Sequence, residues 1–250
     1  SMTLASTLAS TLASTLASTL ASTLTSTLTS TARPETVQAE VIRLNFSLKP
    51  EFSSLQDCRK VALGCVRCPL SETRTQVVFG AGPILPGGIV LVGEAPGADE
   101  DTQGIPFVGA AGKLLERLLV QAGLAREQLY ITNVNKCRPP GNRVPTRAEQ
   151  VACAPYLETE LAFLRHRILL MAGATPMKRL INPTLSITKL RGHWIDLGQG
   201  MLGMVIFHPS YLLRNRERGP GIPRALTLAD LQEVSRIYRA LQGQGDGTGR

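Results

Sequence analysis

The apolar positions of the chain form four short continuous runs that are rich in branched residues. They cover residues 88–93, 129–134, 167–173 and 203–208. Continuous apolar runs of this length are typical of strands that are buried on both faces of a parallel sheet. We therefore predict a central sheet of four parallel strands.

Helical patterns lie between and after these runs. Residues 112–122 place leucines on one stripe at helical spacing, and residues 226–241 are also amphipathic. A third helix is predicted over residues 146–163, where Thr146 and Glu149 have the spacing of a capping box. This alternation predicts an α/β fold, a three-layer α/β/α domain with a central four-stranded parallel sheet.

Polar and glycine-rich residues follow the predicted strands, at the edge where parallel sheets bind their ligands. Residues 93–97 form a Gly-Glu-Ala-Pro-Gly segment after the first strand. Asn133 ends the second strand and His208 ends the fourth. We therefore expect a functional site at this edge of the sheet.

The length of 250 residues and the hydrophobic content of 43% suit one well-packed domain, which we place at residues 36–242. Residues 1–35 are dominated by a Thr-Leu-Ala-Ser repeat. Its leucine spacing would suit a weak helix, but its Ser and Thr content favours a disordered extension. Residues 243–250 are predicted to be a flexible tail. The formal net charge of +8 favours a polyanionic partner.

The sequence contains no apolar run of about 18 residues, so no membrane-spanning helix is predicted. Its first residues lack the basic start and the apolar centre of a secretory signal. We expect a soluble intracellular monomer in the cytoplasm, associated with the nucleoid and not with a membrane. In a reducing compartment the five cysteines are expected to be metal ligands or free thiols rather than disulfides.

Four of the five cysteines have a spacing that suggests a metal site. Cys65 and Cys68 form a C-x2-C pair, and Cys137 and Cys153 supply a second pair. Four thiolates suit either a tetrahedral zinc or a cubane iron–sulfur cluster, and the spacing alone leaves both open. Some of these cysteines could equally be small buried apolar residues. Cys58 is expected to be structural.

Six motifs occur in order along the folded region: Cys65-x2-Cys68, GEAPGADED at 93–101, GIPFVGAAG at 104–112, ITNVNKCRPPGNR at 131–143, SITKLRG at 186–192 and HPSYLLRN at 208–215. Together they strongly resemble the family 4 uracil-DNA glycosylases, the iron–sulfur branch of that superfamily. The resemblance implies a [4Fe-4S] cluster on the four paired cysteines. It also implies a base-excision repair enzyme that flips uracil out of DNA, hydrolyses its N-glycosidic bond and leaves an abasic site.

Three residues supply the chemistry that this resemblance requires. A base must leave the duplex to be reached, and Phe107 is the candidate surface on which it stacks. The Asn133 amide offers a donor and an acceptor that match uracil O4 and N3–H, whereas cytosine presents the opposite pattern. His208 is placed to donate to uracil O2, where negative charge develops as the bond breaks.

Residues 94–97 are expected to bring backbone N–H groups close to the base. The best-known uracil glycosylases have an Asp in this motif that orients the water, but the matching position here is Ala95. A carboxylate base is therefore in doubt, although Glu94 is near enough to take the role. Glu100 resembles the residue that crowds uracil C5 and thereby excludes the methyl group of thymine.

The segment after His208 is predicted to contact DNA. Leu212 and Leu213 would form an apolar wedge that enters the base stack, while Arg214 binds phosphate. Lys136, Arg138 and Arg143 are further phosphate-binding candidates, and a simple surface role would suit each of them nearly as well.

Three alternatives remain at this point. A catalytically silent iron–sulfur DNA-binding module is disfavoured because Phe107, Asn133 and His208 are all present. A zinc-stapled phosphate-binding protein is another alternative, and a brown colour with broad absorption at about 400 nm would exclude its zinc site. Crosslinking relatives have a Gln in the first motif and a basic loop with a reactive His, whereas this chain has Glu94 and no such loop.

Overall fold

The computed structural model of the protein describes residues 42–43, 48–215 and 219–243. The Thr-Leu-Ala-Ser repeat predicted to be disordered lies outside the described residues, as does most of the predicted tail. The last helix ends at Gly243, one residue beyond the predicted boundary. The division at residues 36 and 242 therefore stays a prediction.

One six-stranded sheet forms the centre of the molecule. Its strands are β1 (Ile42–Arg43), β2 (Ile89–Gly93), β3 (Leu129–Asn133), β4 (Ile168–Ala172), β5 (Trp194–Asp196) and β6 (Leu202–Ile206). The order across the sheet is β1-β5-β6-β4-β2-β3, and every neighbouring pair is parallel except β5 and β6. The four predicted strands are confirmed as β2, β3, β4 and β6. The two additional strands have two and three residues, too short to give a recognisable apolar pattern.

Nine α-helices lie within the described ranges. They are α1 (Leu55–Leu63), α2 (Leu70–Thr73), α3 (Ala98–Gln103), α4 (Ala110–Gln121), α5 (Arg147–Phe163), α6 (Ala174–Leu180), α7 (Ile187–Leu190), α8 (Pro209–Arg214) and α9 (Pro223–Gly243). The predicted capping box is present at the start of α5, where the Thr146 hydroxyl accepts the N–H of Glu149 at 3.2 Å. None of these helices is long and apolar enough to span a bilayer.

The two faces of the sheet are both covered, which confirms the three-layer α/β/α architecture. Side chains alternate along each strand, so Ile89 and Leu91 join one hydrophobic cluster while Val90 and Val92 join the other. Helices α4 and α9 supply the first cluster, and α5 and α6 supply the second. The carboxyl ends of β2, β3 and β6 are left as an open edge between these layers.

A third, smaller cluster joins α1 and α2 to helix α5. Cys58 is fully buried in it, and its thiol donates to the carbonyl oxygen of Tyr156 at 3.8 Å. Burial raises the pKa of the Cys58 thiol to about 11, so it remains protonated at neutral pH. The expected structural role of Cys58 agrees with these contacts.

Candidate active site and cysteine centre

A pocket of about 300 Å³ opens at the carboxyl edge of the sheet. All six residues predicted to bind the substrate line it: Glu94, Ala95, Glu100, Phe107, Asn133 and His208. They come from the segments that follow β2, β3 and β6, which the parallel sheet brings to one edge. A volume of this size is at the lower end of the range for small-molecule sites.

Asn133 is the last residue of β3, and its side chain is 2% exposed. Its Oδ1 atom is buried and has no hydrogen-bond partner among the described residues. Gly93 pairs with Asn133 across the sheet, and a Cβ at Gly93 would lie 2.5 Å from Phe107 Cζ and closer still to Asn133 Oδ1. Gly93 has no side chain and therefore leaves room for the Phe107 ring and the Asn133 amide. The Asn133 Oδ1 atom is consequently a buried acceptor without a donor among the described residues.

Phe107 adopts a left-handed backbone conformation, with φ of 55°, which is costly for a residue with a side chain. Arg126 holds it there, because its Nη1 donates to the Phe107 carbonyl at 2.8 Å and its Nη2 to the Pro106 carbonyl at 2.5 Å. A Cβ at Gly112 would overlap the same Phe107 carbonyl. The ring centroid lies 5.9 Å from that of His208, so the ring is fixed beside the imidazole.

His208 is the N-cap of α8, and this position determines its tautomer. Its Nδ1 accepts the backbone N–H of Ser210 at 3.1 Å and lies 2.7 Å from the Ser210 hydroxyl oxygen. Burial lowers the pKa of His208 to about 4, and the charge of Arg214 acts in the same direction. The imidazole is therefore neutral at pH 7, and its single proton is on Nε2.

Glu94 begins the loop after β2, and its carboxylate accepts a hydrogen bond from the Thr175 hydroxyl on α6. Its carbonyl oxygen accepts the N–H of Asn135 at 3.0 Å, which links this loop to the segment after β3. Ala95 lines the pocket with a methyl group and has no group that could act as an acid or base. Glu94 is therefore held at the pocket wall beside Ala95.

The Glu100 carboxylate connects two loops of the pocket. Its Oε1 accepts the N–H groups of Val108 at 3.0 Å and Gly109 at 2.9 Å, and its Oε2 accepts that of Gly97 at 3.1 Å. A charged acceptor with several backbone donors fixes both loops strongly. The predicted role of Glu100 against thymine stays a prediction, since its carboxylate already braces these loops.

The four paired cysteines line a second cavity, between the α1–α2 connection and helix α5. Three of the sulfur atoms accept a hydrogen bond: the Arg67 backbone N–H donates to Cys65 at 3.4 Å, Arg74 Nη1 to Cys137 at 3.3 Å, and the Lys136 backbone N–H to Cys153 at 3.3 Å. Burial raises the pKa of the Cys68 and Cys137 thiols, and it raises that of Cys153 to about 12. In the described ranges, no three His, Cys, Asp or Glu side chains lie close enough to hold one metal ion.

One wall of the pocket comes from the loop between the third and fourth of these cysteines. Pro139, Asn142 and Arg143 line the pocket, and the loop is flanked by Cys137 and Cys153. Both terminal nitrogens of Arg143 donate to the Glu149 carboxylate on α5, at 2.7 and 2.8 Å. The loop between Cys137 and Cys153 therefore connects the cysteine cavity with the pocket.

One leucine of the predicted DNA wedge is buried in the structure. Leu212 is 2% exposed and packs in the core beneath α8, so the expectation that it contacts DNA is wrong. Leu213 is half-buried against the same core, whereas Tyr211 and Arg214 are exposed. The outward face of α8 is therefore formed by residues 211 and 214 rather than by the two leucines.

The predicted phosphate contact of Lys136 is also wrong. Lys136 is 1% exposed and forms an ion pair with Glu160, which is fully buried, so its ammonium group is inaccessible to DNA. Arg138 is half-buried, and its Nε donates to Asn142 Oδ1 at 2.7 Å at the rim of the pocket. Its contact with DNA stays a prediction.

Sequence reasoning missed four residues that shape the site: Gly93, Arg126, Thr175 and Ser210. Ser210 had a local signal, because it follows His208 and a proline at a helix start, where side chains commonly cap N–H groups. For Gly93 the sequence indicates a strand end and the start of a glycine-containing segment, but not the space that its missing side chain leaves for Phe107 and Asn133. Arg126 and Thr175 act from other elements, and no pattern near them indicates their partners.

The chain is similar to several known proteins. A model of the Uracil DNA glycosylase superfamily matches residues 79–241. The type-4 uracil-DNA glycosylase of Thermotoga maritima is 45% identical over 176 residues, covering 70% of this chain and 90% of the relative. That of Archaeoglobus fulgidus is 40% identical over 169 residues, covering 65% and 84%. That of Sulfurisphaera tokodaii is 39% identical over 172 residues, covering 66% and 78%. The chain therefore belongs to the uracil DNA glycosylase superfamily and, within it, to the type-4 uracil-DNA glycosylases.

Proposed function

We propose that the protein is a uracil-DNA glycosylase that binds a flipped uracil in the pocket at the carboxyl edge of the sheet. It hydrolyses the N-glycosidic bond and leaves an abasic site, the first step of base-excision repair. One observation carries the proposal: Asn133 lines a pocket that also contains Phe107 and His208, and its buried Oδ1 atom has no hydrogen-bond partner among the described residues.

Recognition of the base follows from these groups. Uracil stacks on Phe107, and the Asn133 amide accepts its N3–H and donates to its O4. Cytosine would present an acceptor at N3 and donors at the neighbouring position, leaving buried groups unpaired at about 1–3 kcal/mol each. Glu100 fixes the loops around the ring and limits the space at C5, which disfavours thymine.

Bond cleavage requires the electron pair of the N1–C1′ bond to move to the uracil ring. The neutral His208 donates from Nε2 to uracil O2 as this charge develops, and such a placed donor contributes about 3 kcal/mol. The hydroxyl of a water molecule adds to C1′, and the proton of that water leaves to the departing base or to solvent. The Glu94 carboxylate, held by Thr175, orients this water and stabilises positive charge on the sugar.

We further propose that Cys65, Cys68, Cys137 and Cys153 hold a [4Fe-4S] cluster. Their common cavity and the N–H donors to three of the sulfurs support this, since such donors stabilise thiolate ligands. A single tetrahedral zinc would need the sulfurs within about 4 Å of one another, whereas a cubane takes one thiolate at each iron. When bound, the cluster would supply a rigid cross-link, and the four residues would then fix the loop that walls the pocket.

DNA is the expected partner, since the pocket must receive a nucleotide from a strand. Arg214 on the exposed face of α8 and Arg138 at the pocket rim are proposed to bind phosphates, with Leu213 supporting the wedge from its half-buried position.

The test uses an oligonucleotide with one uracil, incubated with the iron-loaded protein and then treated with alkali. We expect strand cleavage at the uracil for the parent, and a loss of about a hundredfold or more for Asn133→Ala and for His208→Ala. Iron content and absorbance near 400 nm establish that each variant carries its cluster. Binding of the oligonucleotide without cleavage by the loaded parent would instead favour the silent DNA-binding module.

A further inference from the structure

A fully buried ion pair joins the segment after β3 to helix α5. Lys136 is 1% exposed, Glu160 is 0% exposed, and Lys136 Nζ contacts the Glu160 carboxylate. Buried pairs of this kind seldom add stability, because removing both charges from water costs about as much as their attraction returns. Their better-supported use is to fix one arrangement of the chain, and the contacts of this pair indicate which arrangement.

The Lys136 ammonium group has three N–H donors, and each has a partner. It donates to the Asn133 carbonyl oxygen at 2.7 Å, to Thr132 Oγ1 at 2.6 Å and to the Glu160 carboxylate. Glu160 is fixed in turn, since it accepts the Thr132 hydroxyl at 2.8 Å and the Tyr130 hydroxyl at 3.0 Å. The ion pair therefore holds the last residues of β3, including the backbone of Asn133, through these hydrogen bonds.

The backbone of the same lysine contacts the cysteine centre, because its N–H donates to Cys153 Sγ at 3.3 Å. Lys136 thus touches both the strand end with the base-reading amide and one of the four thiols. The Asn133 Oδ1 atom has no partner among the described residues. Its position before the substrate binds therefore depends on its backbone, which Lys136 holds, and on packing against Gly93 and Phe107.

We propose that Lys136, fixed by Glu160, is a positioning residue that sets the Asn133 amide for binding of the uracil ring. It does not touch the base and acts only through the Asn133 backbone. This inference rests on the proposed function and assigns to the buried pair a part in base recognition.

The test replaces both charges at once, Lys136→Met with Glu160→Gln, since removal of one would leave a buried charge unpaired. The iron-loaded variant is assayed for inhibition by free uracil during cleavage of the uracil oligonucleotide. We expect the inhibition constant of uracil to rise about tenfold, the effect of one weakened hydrogen bond in a buried site. A purely structural role would lower the melting temperature or the iron content and leave this constant unchanged.

The matched control is Arg179→Met with Glu158→Gln, which removes a partly exposed ion pair between Arg179 on α6 and Glu158 on α5, with an N–O distance of 2.9 Å. Its uracil inhibition constant should equal that of the parent.

A parental inhibition constant in the Lys136/Glu160 variant overturns the proposal. If that variant does not fold or load iron, Thr132→Val decides, because it removes the hydroxyl between the charged groups and keeps both charges. A raised uracil constant in Thr132→Val supports the proposal, and a parental one overturns it. Failure of the loaded parent to release uracil would refute the proposed function instead, so the two failures are distinguishable.

Discussion

Gly93→Ala adds one methyl group at the point where two parts of the pocket meet. The backbone of Gly93 lies in a regular strand, so the substitution introduces no conformational strain of its own. Its effect comes only from space, because the new Cβ would lie 2.5 Å from Phe107 Cζ and closer to Asn133 Oδ1. An ordinary contact is 3.4–4 Å, so both groups must move by about 1 Å.

The size of the effect follows from how firmly these groups are held. Phe107 is fixed by Arg126 and by the close approach of Gly112, and Asn133 by the sheet and Lys136. A displacement of about 1 Å in a recognition group lowers the rate by roughly a hundredfold. Overpacking of a buried site also costs about 1–3 kcal/mol in the free energy of unfolding.

Single-turnover cleavage of a uracil oligonucleotide measures the first effect, and urea denaturation measures the second. We expect the single-turnover rate constant of Gly93→Ala to fall about a hundredfold. The loss of stability cannot explain this fall, because most molecules remain folded. Gly243→Ala is the matched control, because a Cβ there meets nothing within 4 Å. Parental cleavage by Gly93→Ala would show that the pocket does not hold the base between Phe107 and Asn133.

Three further predictions concern His166, Arg126 and Arg143. Burial lowers the pKa of His166 from 6.5 to about 4 in the folded protein. As the pH drops from 6.5 towards 4, the unfolded chain binds a proton at this histidine and the folded protein does not, so the free energy of unfolding falls. Urea denaturation should show that the free energy of unfolding of His166→Phe, relative to that of the parent, rises by about 2 kcal/mol between pH 7 and pH 5. The same pH dependence in the variant and the parent would contradict this prediction. Arg126→Met removes both hydrogen-bond donors to the strained loop of Phe107, and kcat/KM should fall about tenfold. An unchanged kcat/KM would show that this loop keeps its conformation without Arg126. Arg143→Lys replaces two parallel hydrogen bonds by a point charge and should raise KM severalfold with little change in kcat, measured by steady-state cleavage.

The strands and the positions of the site were predictable because their signals are local. Each buried parallel strand is a continuous apolar run, and the residue that ends a run is brought to the ligand-binding edge by topology alone. Asn133 and His208 were therefore found by position, and the motifs around them indicated the family. The antiparallel strand β5 was not predictable, because it has three residues and is formed by pairing with β6.

The errors concern residues whose environment is set by distant parts of the chain. Helix α8 has six residues, so the phase of its apolar face cannot be read from sequence, and Leu212 was assigned to the wrong side. Lys136 lies in a basic segment that resembles a phosphate-binding loop. Its partner Glu160 is on α5, and only the fold brings a carboxylate to that lysine.

The pocket wall that lies between Cys137 and Cys153 is attached to the fold by protein contacts on its own. Arg143 pairs with Glu149 on α5, and Asn142 accepts a hydrogen bond from Arg138. A bound cluster would add a second attachment at the two flanking cysteines, whereas Asn133 and His208 are placed by the sheet alone. Loss of such a cluster would therefore loosen one wall of the pocket and leave the base reader in place, so that oxidative damage to the iron would weaken excision before it unfolds the enzyme.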